Sequence, residues 1–464
     1  MNKFLLYISF FCTVSLLISC GEDRSHEYYE LTSGNRWIDE VLEKYYLWND
    51  NLGSVTEKDY FKGEESYLKQ RLYSKALNGK GDSFSYIERK DAAATRVNID
   101  HKSTYGFDFE VMTDPLGTTA HVYARVLYVM PHSPASEAGL ERGDWISSIN
   151  GSALTVNNYN ELLNGDGITL TLSEVVLSDD DVQVWVVKND VTIGASHFVE
   201  INPFFLDSIY TIGSKKIAYL VYNQFSTGPY DNSSETEYSQ QMQALFAKFK
   251  AQGVDEFILD LRYNTGGYLS CAIELSSLLA PASALGKSFC QLKGNGSSYV
   301  EDKTYNFSSQ MANNLNLSRL YVLTSTYTAS ASEALINCLR PYMGNSNVIL
   351  VGEKTFGKPV GMEPFDDDVH DFIVWPVTYY ILNAKGEADY VNGITPDYEI
   401  SERGIVSHLY PLGDEREALL EKTLSLIAGS TATTSNIESF KSVPQIIQTS
   451  LSSKSKPGII INNP

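Results

Sequence analysis

Glu256-Phe257-Ile258-Leu259-Asp260-Leu261-Arg262-Tyr263-Asn264-Thr265-Gly266-Gly267 is an apolar run that closes on two adjacent glycines. Residues 256–262 have the length and composition of a buried strand, and a helical pattern over residues 268–280 follows at once. Paired glycines at such a junction let the backbone turn sharply and leave an amide unobstructed. Upstream, residues 217–225 read as a second strand, and the stretch between the two is an amphipathic helix with Met242, Leu245, Phe246 and Phe249 on one face. Downstream come a strand at 320–324, a helix at 331–340, a strand at 348–352 and an apparent hairpin formed by 372–381 and 389–394. This alternation predicts a layered α/β core over residues 204–427.

Two further segments of that core carry reactive side chains. Thr328-Ala329-Ser330-Ala331-Ser332-Glu333 opens the helix after strand 320–324, where free helix N–H groups stabilise negative charge. Gly352-Glu353-Lys354-Thr355-Phe356-Gly357-Lys358 is a glycine-flanked loop ending in a lysine. Taken singly, Ser330 is a helix N-cap, Lys354 and Lys358 are solvated charges, and Gly266-Gly267 is a turn. Taken together they offer a nucleophile, a base and a turn with bare amides. A serine alcohol needs a base to take its proton, and a lysine serves only when neutral, which burial in an apolar pocket promotes. Phe356 and Met362 are the expected walls of such a pocket. None of the three segments holds a histidine, so a Ser-His-Asp triad would have to draw on the distant His370 or His408.

Before the core, residues 105–203 break into short strands between Gly, Asn and Asp turns. Ser133-Pro134-Ala135-Ser136-Glu137-Ala138-Gly139-Leu140 and Gly143-Asp144-Trp145-Ile146-Ser147-Ser148-Ile149-Asn150-Gly151 closely resemble the central signature of bacterial PDZ domains. The resemblance makes Tyr105, Gly106 and Phe107 the peptide-binding loop, with a strand after it onto which a peptide adds. Nearer the N-terminus, Trp37, Val41, Leu42, Tyr45, Leu47 and Trp48 recur with helical period, and Gly81-Asp82-Ser83-Phe84-Ser85-Tyr86-Ile87 closes that region.

In order and context, these blocks, together with Gly393-Ile394-Thr395-Pro396-Asp397, resemble those of the C-terminal processing (tail-specific) serine proteases over residues 37–397. The resemblance implies an α/β multidomain chain: a helical N-terminal cap (20–90), a PDZ-like β module (91–203), a layered, crotonase-like protease core (204–427) and a C-terminal tail (428–464). It makes Ser330 the nucleophile and Lys358 the general base of a serine endopeptidase. Ala331 and Gly266 supply the oxyanion amides, with Gly267 the alternative to Gly266. Two such amides would lower a barrier by roughly 3–4 kcal/mol each. One position departs from the family: a glutamine that orients the lysine is replaced by Met362, which makes no ordinary hydrogen bond. Either another group takes that role, with Asp366, Asp367 and Asp368 nearby in sequence, or activity is lower. The Ser330 to Lys358 separation is also longer than the family's, through residues 341–347.

Lys3, an apolar run over residues 4–18 and Leu17-Ile18-Ser19-Cys20 read as a secretory signal peptide (1–19) that resembles the lipobox of bacterial lipoproteins, with Cys20 lipidated. This implies a lipid anchor to a membrane of the cell envelope, on the periplasmic face or the cell surface, and the run is too short for the ~20 residues of a span. Glu22 and Asp23 match a surface-export tag of some lipoproteins. A formal charge of −21 repels phosphate backbones and argues against nucleic acid as a partner. Cys271, Cys290 and Cys338 are odd in number and widely spaced, so buried thiols are expected in place of a disulfide framework. No histidine pattern marks a metal site, and no cofactor is expected. Two other functions compete: a peptide-binding lipoprotein that has lost turnover, which Met362 favours, and a sugar-binding lipoprotein, which the 30 tyrosines suggest.

Overall fold

The computed structural model of the protein describes residues 25–90, 103–229, 234–406, 409–429, 440, 443–453 and 459–461. Residues 1–24, on which the expected signal peptide and Cys20 fall, and His408 lie outside the described residues. The structure combines a helical N-terminal region, a PDZ-like β module and a layered α/β core.

The N-terminal region consists of α1 (Ser25–Tyr45), α2 (Glu64–Arg71) and β1 (Tyr86–Arg89). The PDZ-like module contains β2 (Phe107–Thr113), β3 (Val122–Val129), β4 (Trp145–Ile149), β5 (Ile168–Leu177) and β6 (Gln183–Ile193). Asn150 and Gly151, both at positive φ, turn its β4 hairpin. The core runs β7 (Phe204–Ile212), β8 (Lys215–Tyr222), α3 (Glu237–Gln252), β9 (Glu256–Asp260), α4 (Leu269–Leu279), β10 (Ser288–Lys293), β11 (Lys303–Asn306), β12 (Leu320–Thr324), α5 (Ala331–Met343) and β13 (Val348–Gly352). It continues through β14 (Val360–Met362), β15 (Phe372–Trp375), β16 (Val377–Asn383), β17 (Tyr398–Glu399) and α6 (Ala418–Ile427).

Six strands form the central sheet in the order β7-β8-β9-β12-β13-β17, parallel from β8 onward. All five residues of β9 and of β12 are buried, as parallel strands covered on both faces require. Ala218, Leu220 and Tyr222 of β8 pack with α3, α4 and α5 on one face, and Ile217, Tyr219 and Val221 pack with α6 on the other. Many of the tyrosines serve this packing: Tyr219, Tyr222, Tyr238 and Tyr321 are among the largest fully buried side chains.

A second sheet has the order β11-β10-β16-β14 and carries a tail strand at its edge. The hairpin expected from 372–381 and 389–394 is not formed. Residues 389–394 are loop, and β16 pairs instead with β10 and β14. The strand pair β1-β15 and the Leu47 N–H bond to Val377 O (2.8 Å) tie the N-terminal region to this sheet.

The tail, whose Ser-, Thr- and Asn-rich composition suggests a loose segment, contains strands where it is described. β18 (Ile446–Thr449) joins the free edge of β2, and β19 (Ile459–Ile460) pairs with β14.

Candidate active site

Because β9 and β12 are parallel neighbours, the loops leaving their C-terminal ends lie side by side, which is where open α/β sheets place their sites. Thr328 Oγ1 donates to Leu261 O (2.9 Å), while Ala329 N–H and Ser332 Oγ both donate to Asn264 O (3.2 Å each). Behind the loops, the fully buried Arg262 guanidinium contacts Asp260 (2.8 Å), Glu402 (2.6 Å) and Glu417 (2.8 and 2.9 Å). Burial opposes its charge, but Asp260, Glu402 and Glu417 hold its pKa well above the ordinary value.

Ser330 starts α5 at φ 61° and ψ −112°, a backbone state that costs an L-residue about 1–3 kcal/mol. Ser330 holds the N-cap position of α5, three residues before Glu333, and its Oγ is buried with no hydrogen-bond partner among the described residues. Its N–H donates to Glu333 Oε2 at 2.9 Å. The same oxygen accepts the Lys358 N–H at 2.8 Å, and Oε1 accepts the Thr355 hydroxyl (2.5 Å) and the Gly357 N–H (2.7 Å). One fully buried carboxylate therefore joins the Ser330 loop to the Lys358 loop. Burial pushes the pKa of Glu333 up against the pull of these four donors.

Lys358 is 5% exposed, and its Nζ lies over the Phe84 ring, 4.6 Å from the centroid. Burial lowers its pKa to about 8, opposed by the fields of Asp82 and Glu333. Its ammonium is not hydrogen-bonded to Ser330 Oγ. Lys358 lines a cavity of about 930 Å³ with Asp82, Phe84, Thr265, Ala329 and Phe356.

Phe356 is thus a wall of this cavity, as expected, but Met362 is not. It is fully buried in β14 among N-terminal and second-sheet side chains. Asp366 and Asp367 do not replace the missing orienting group, because Asp366 pairs with Lys90 (2.6 Å) and Asp367 with His370 (2.8 Å). The carboxylates whose fields reach Lys358 are Asp82 and Glu333. His370, stacked on Trp37, belongs to the same N-terminal contact as Asp367.

Gly266 packs so closely on Ser330 that an added Cβ would lie 2.8 Å from the serine Cβ. Its N–H, however, donates to Asn264 Oδ1 at 2.9 Å. Among the described residues the Gly267 and Ala331 amides donate no hydrogen bond. Of the paired glycines, Gly266 therefore has its amide engaged and Gly267 does not. In the PDZ-like module, Tyr105 N–H is donated to Leu163 O (3.2 Å) and Gly106 N–H to Thr104 Oγ1 (3.0 Å), while Phe107 pairs with Val129.

Glu333 and Asp82 are site residues to which the sequence reading gave no role. Glu333 stands three residues after Ser330, the spacing of a capping box, and Asp82 lies in the motif that closes the N-terminal region.

Comparison with known proteins agrees with this organisation. Residues 216–400 match the model of peptidase family S41, residues 33–86 the peptidase S41 N-terminal domain, and residues 125–172 a PDZ domain. The chain is 30% identical over 237 residues to a carboxyl-terminal-processing protease of Picosynechococcus sp., covering 50% of each protein. It is 26% identical over 305 residues to the protein of that name from Synechocystis sp., covering 65% of this chain and 64% of the relative. The chain therefore spans between half and two thirds of the length of these relatives. A crystal structure of a Bacteroides fragilis protein named as an S41 protease superposes with a TM-score of 0.73 at 34% identity, covering 85% of this chain and 97% of that one. With this relative matched over almost its whole length, and the three family models in the order of the observed domains, the chain belongs to peptidase family S41.

Proposed function

We propose that the protein is a serine endopeptidase of the Ser/Lys type that cleaves envelope proteins or peptides and recognises their C-termini through the PDZ-like module. Neutral Lys358 takes the proton of Ser330 Oγ as the alcohol attacks a peptide carbonyl. The Ala331 and Gly267 amides receive the oxyanion. The lysine then passes its proton to the leaving amine, leaving an acyl-enzyme that water hydrolyses in a second round of the same proton transfers.

The observation that carries this reading is the junction at Glu333: the backbone N–H groups of Ser330 and Lys358 meet on one carboxylate oxygen, which holds the loop of a strained serine with a buried, unpartnered hydroxyl against the loop of a desolvated lysine on a cavity wall. The two side chains are not in direct contact, and catalytic hydrogen bonds often close only when substrate is bound.

The test is labelling by a serine-directed phosphonate, together with cleavage of casein. Both are expected in the wild type and lost in Ser330→Ala and Lys358→Ala. Equal behaviour of all three would favour a peptide-binding protein without turnover, the reading to which Met362 points. The lipid anchor is part of the same proposal. Incorporation of a palmitate analogue in vivo, lost in Cys20→Ser, is its expected signature, and an unlabelled wild type would remove it.

A further inference from the structure

The described tail runs along the groove where a peptide would lie. β18 pairs antiparallel with β2, with Ile446 opposite Met112, Gln448 opposite Val111 and Thr449 opposite Glu110. Ser450 Oγ accepts the Phe109 N–H (2.9 Å) and donates to Asp108 Oδ1 (2.7 Å), and Thr449 Oγ1 donates to Phe109 O (2.9 Å). The segment therefore travels with its C-terminal end toward the Tyr105-Gly106-Phe107 loop, the direction of a C-terminal ligand added to this strand. It then leaves the PDZ-like edge. Leu451 is 1% exposed, and with Thr449 it lines the same cavity as Lys358. Further on, Ile460 N–H donates to Gly267 O at 3.2 Å, and Ile461 N–H donates to Met362 O at 3.4 Å.

We propose that the tail, through its segments 446–451 and 459–461, occupies the substrate path in cis and is a built-in competitor of substrate. This rests on the peptidase reading above and extends it to regulation and specificity. A covalently tethered ligand faces its site at an effective concentration in the millimolar range. Substrate must displace it, so the intact chain works with a raised KM and an unchanged kcat. The favoured substrate segment carries the chemistry of Thr449-Ser450-Leu451: hydroxyl side chains that bond Phe109 and Asp108, followed by an aliphatic residue that enters the cavity.

The test uses full-length chains carrying Leu451→Asp or Ser450→Ala and a fluorescein-labelled peptide of residues 444–453. The variants should bind the peptide on the order of tenfold more tightly than the wild type, because their own tail no longer holds the edge. In Ser450→Ala, whose side chain does not line the Lys358 cavity, KM for a peptide substrate should fall by a similar factor while kcat stays the same. Equal binding to wild type and variants, or no binding to variants that melt as the wild type does, would overturn the proposal. Absence of turnover in every chain would count against the peptidase reading and leave the binding comparison to decide this one. Should the variants unfold, hydrogen exchange on the wild type decides: saturating peptide 444–453 should speed exchange in residues 446–451, and no change with the peptide bound would overturn the idea.

Discussion

Glu333 Oε2 accepts the Lys358 N–H at 2.8 Å, and it is through this bond that the loop of the lysine is held against the helix that Ser330 begins. Four donors converge on this carboxylate. Glu333→Ala would leave them buried and unpaired, at about 1–3 kcal/mol for each one that water cannot reach. We expect a loss of at least about 3 kcal/mol in urea unfolding. The kcat of whatever folded fraction remains should fall by roughly a hundredfold, because the base is no longer positioned. Glu333→Gln keeps two acceptor bonds but turns an NH2 toward two donors, so its kcat should lie between the other two. A kcat in Glu333→Ala equal to wild type would remove Glu333 from the positioning role.

The pH dependence follows from Lys358. The general base must be neutral, and burial lowers its pKa to about 8. Below that value the lysine is protonated and idle, so kcat/KM should rise with pH through about 8 and level off above it. The field of Asp82 raises this pKa, so Asp82→Asn should move the acidic limb to lower pH and give a larger share of active enzyme at pH 7. A limb that stays in place or moves up would show that Asp82 does not act on the amine.

The sequence alone carried Ser330, Lys358 and the strand-to-helix turns, because those signals are local: an apolar strand, a glycine pair, a hydroxyl at a helix start. The clamp was not legible. Glu333 reads as a capping residue of its own helix until the fold brings Thr355, Gly357 and Lys358 to it. Near Met362 in sequence the candidates to replace the glutamine are aspartates, but Asp366 and Asp367 pair with Lys90 and His370, and the carboxylates whose fields reach the lysine are Asp82 of the N-terminal region and Glu333. The strand Ile446–Thr449 was hidden for a different reason. A four-residue segment, Ile-Ile-Gln-Thr, inside a Ser- and Thr-rich tail becomes a strand only where an open edge accepts it, and that edge is supplied by β2.

Arg262 is the structural anchor behind the chemistry. Its side chain is fully buried and satisfies Asp260, Glu402 and Glu417 together. Removing one partner from a buried ionic cluster costs about 3–5 kcal/mol, since the charges left behind stay desolvated. Arg262→Ala should therefore lower the urea midpoint strongly or prevent folding. Arg262→Lys should recover little, because an ammonium cannot make the fork-shaped contacts to Glu417. A midpoint within experimental error of the wild type would contradict the anchor role.

Lys358 should show stability and activity pulling apart. Its amine is desolvated and makes no ion pair at 4.0 Å or less among the described residues, so holding it in place costs the folded state free energy that catalysis requires. Lys358→Met keeps the length of the side chain, removes the buried amine and leaves an apolar group against Phe84. The backbone N–H that reaches Glu333 is unchanged by the substitution. We expect the variant to lose cleavage and phosphonate labelling while its melting temperature rises by a few degrees at pH 7, where the wild-type lysine is mostly protonated. The gain should shrink as the pH is raised past about 8, because the wild-type amine is then neutral in the folded state while the unfolded chain still binds its proton up to the ordinary value near 10.5. Calorimetry of both chains at pH 7 and pH 9.5 measures this difference. A variant less stable than the wild type at pH 7 would mean that the amine is held by contacts that stabilise it, and the case for a neutral base at this position would fall.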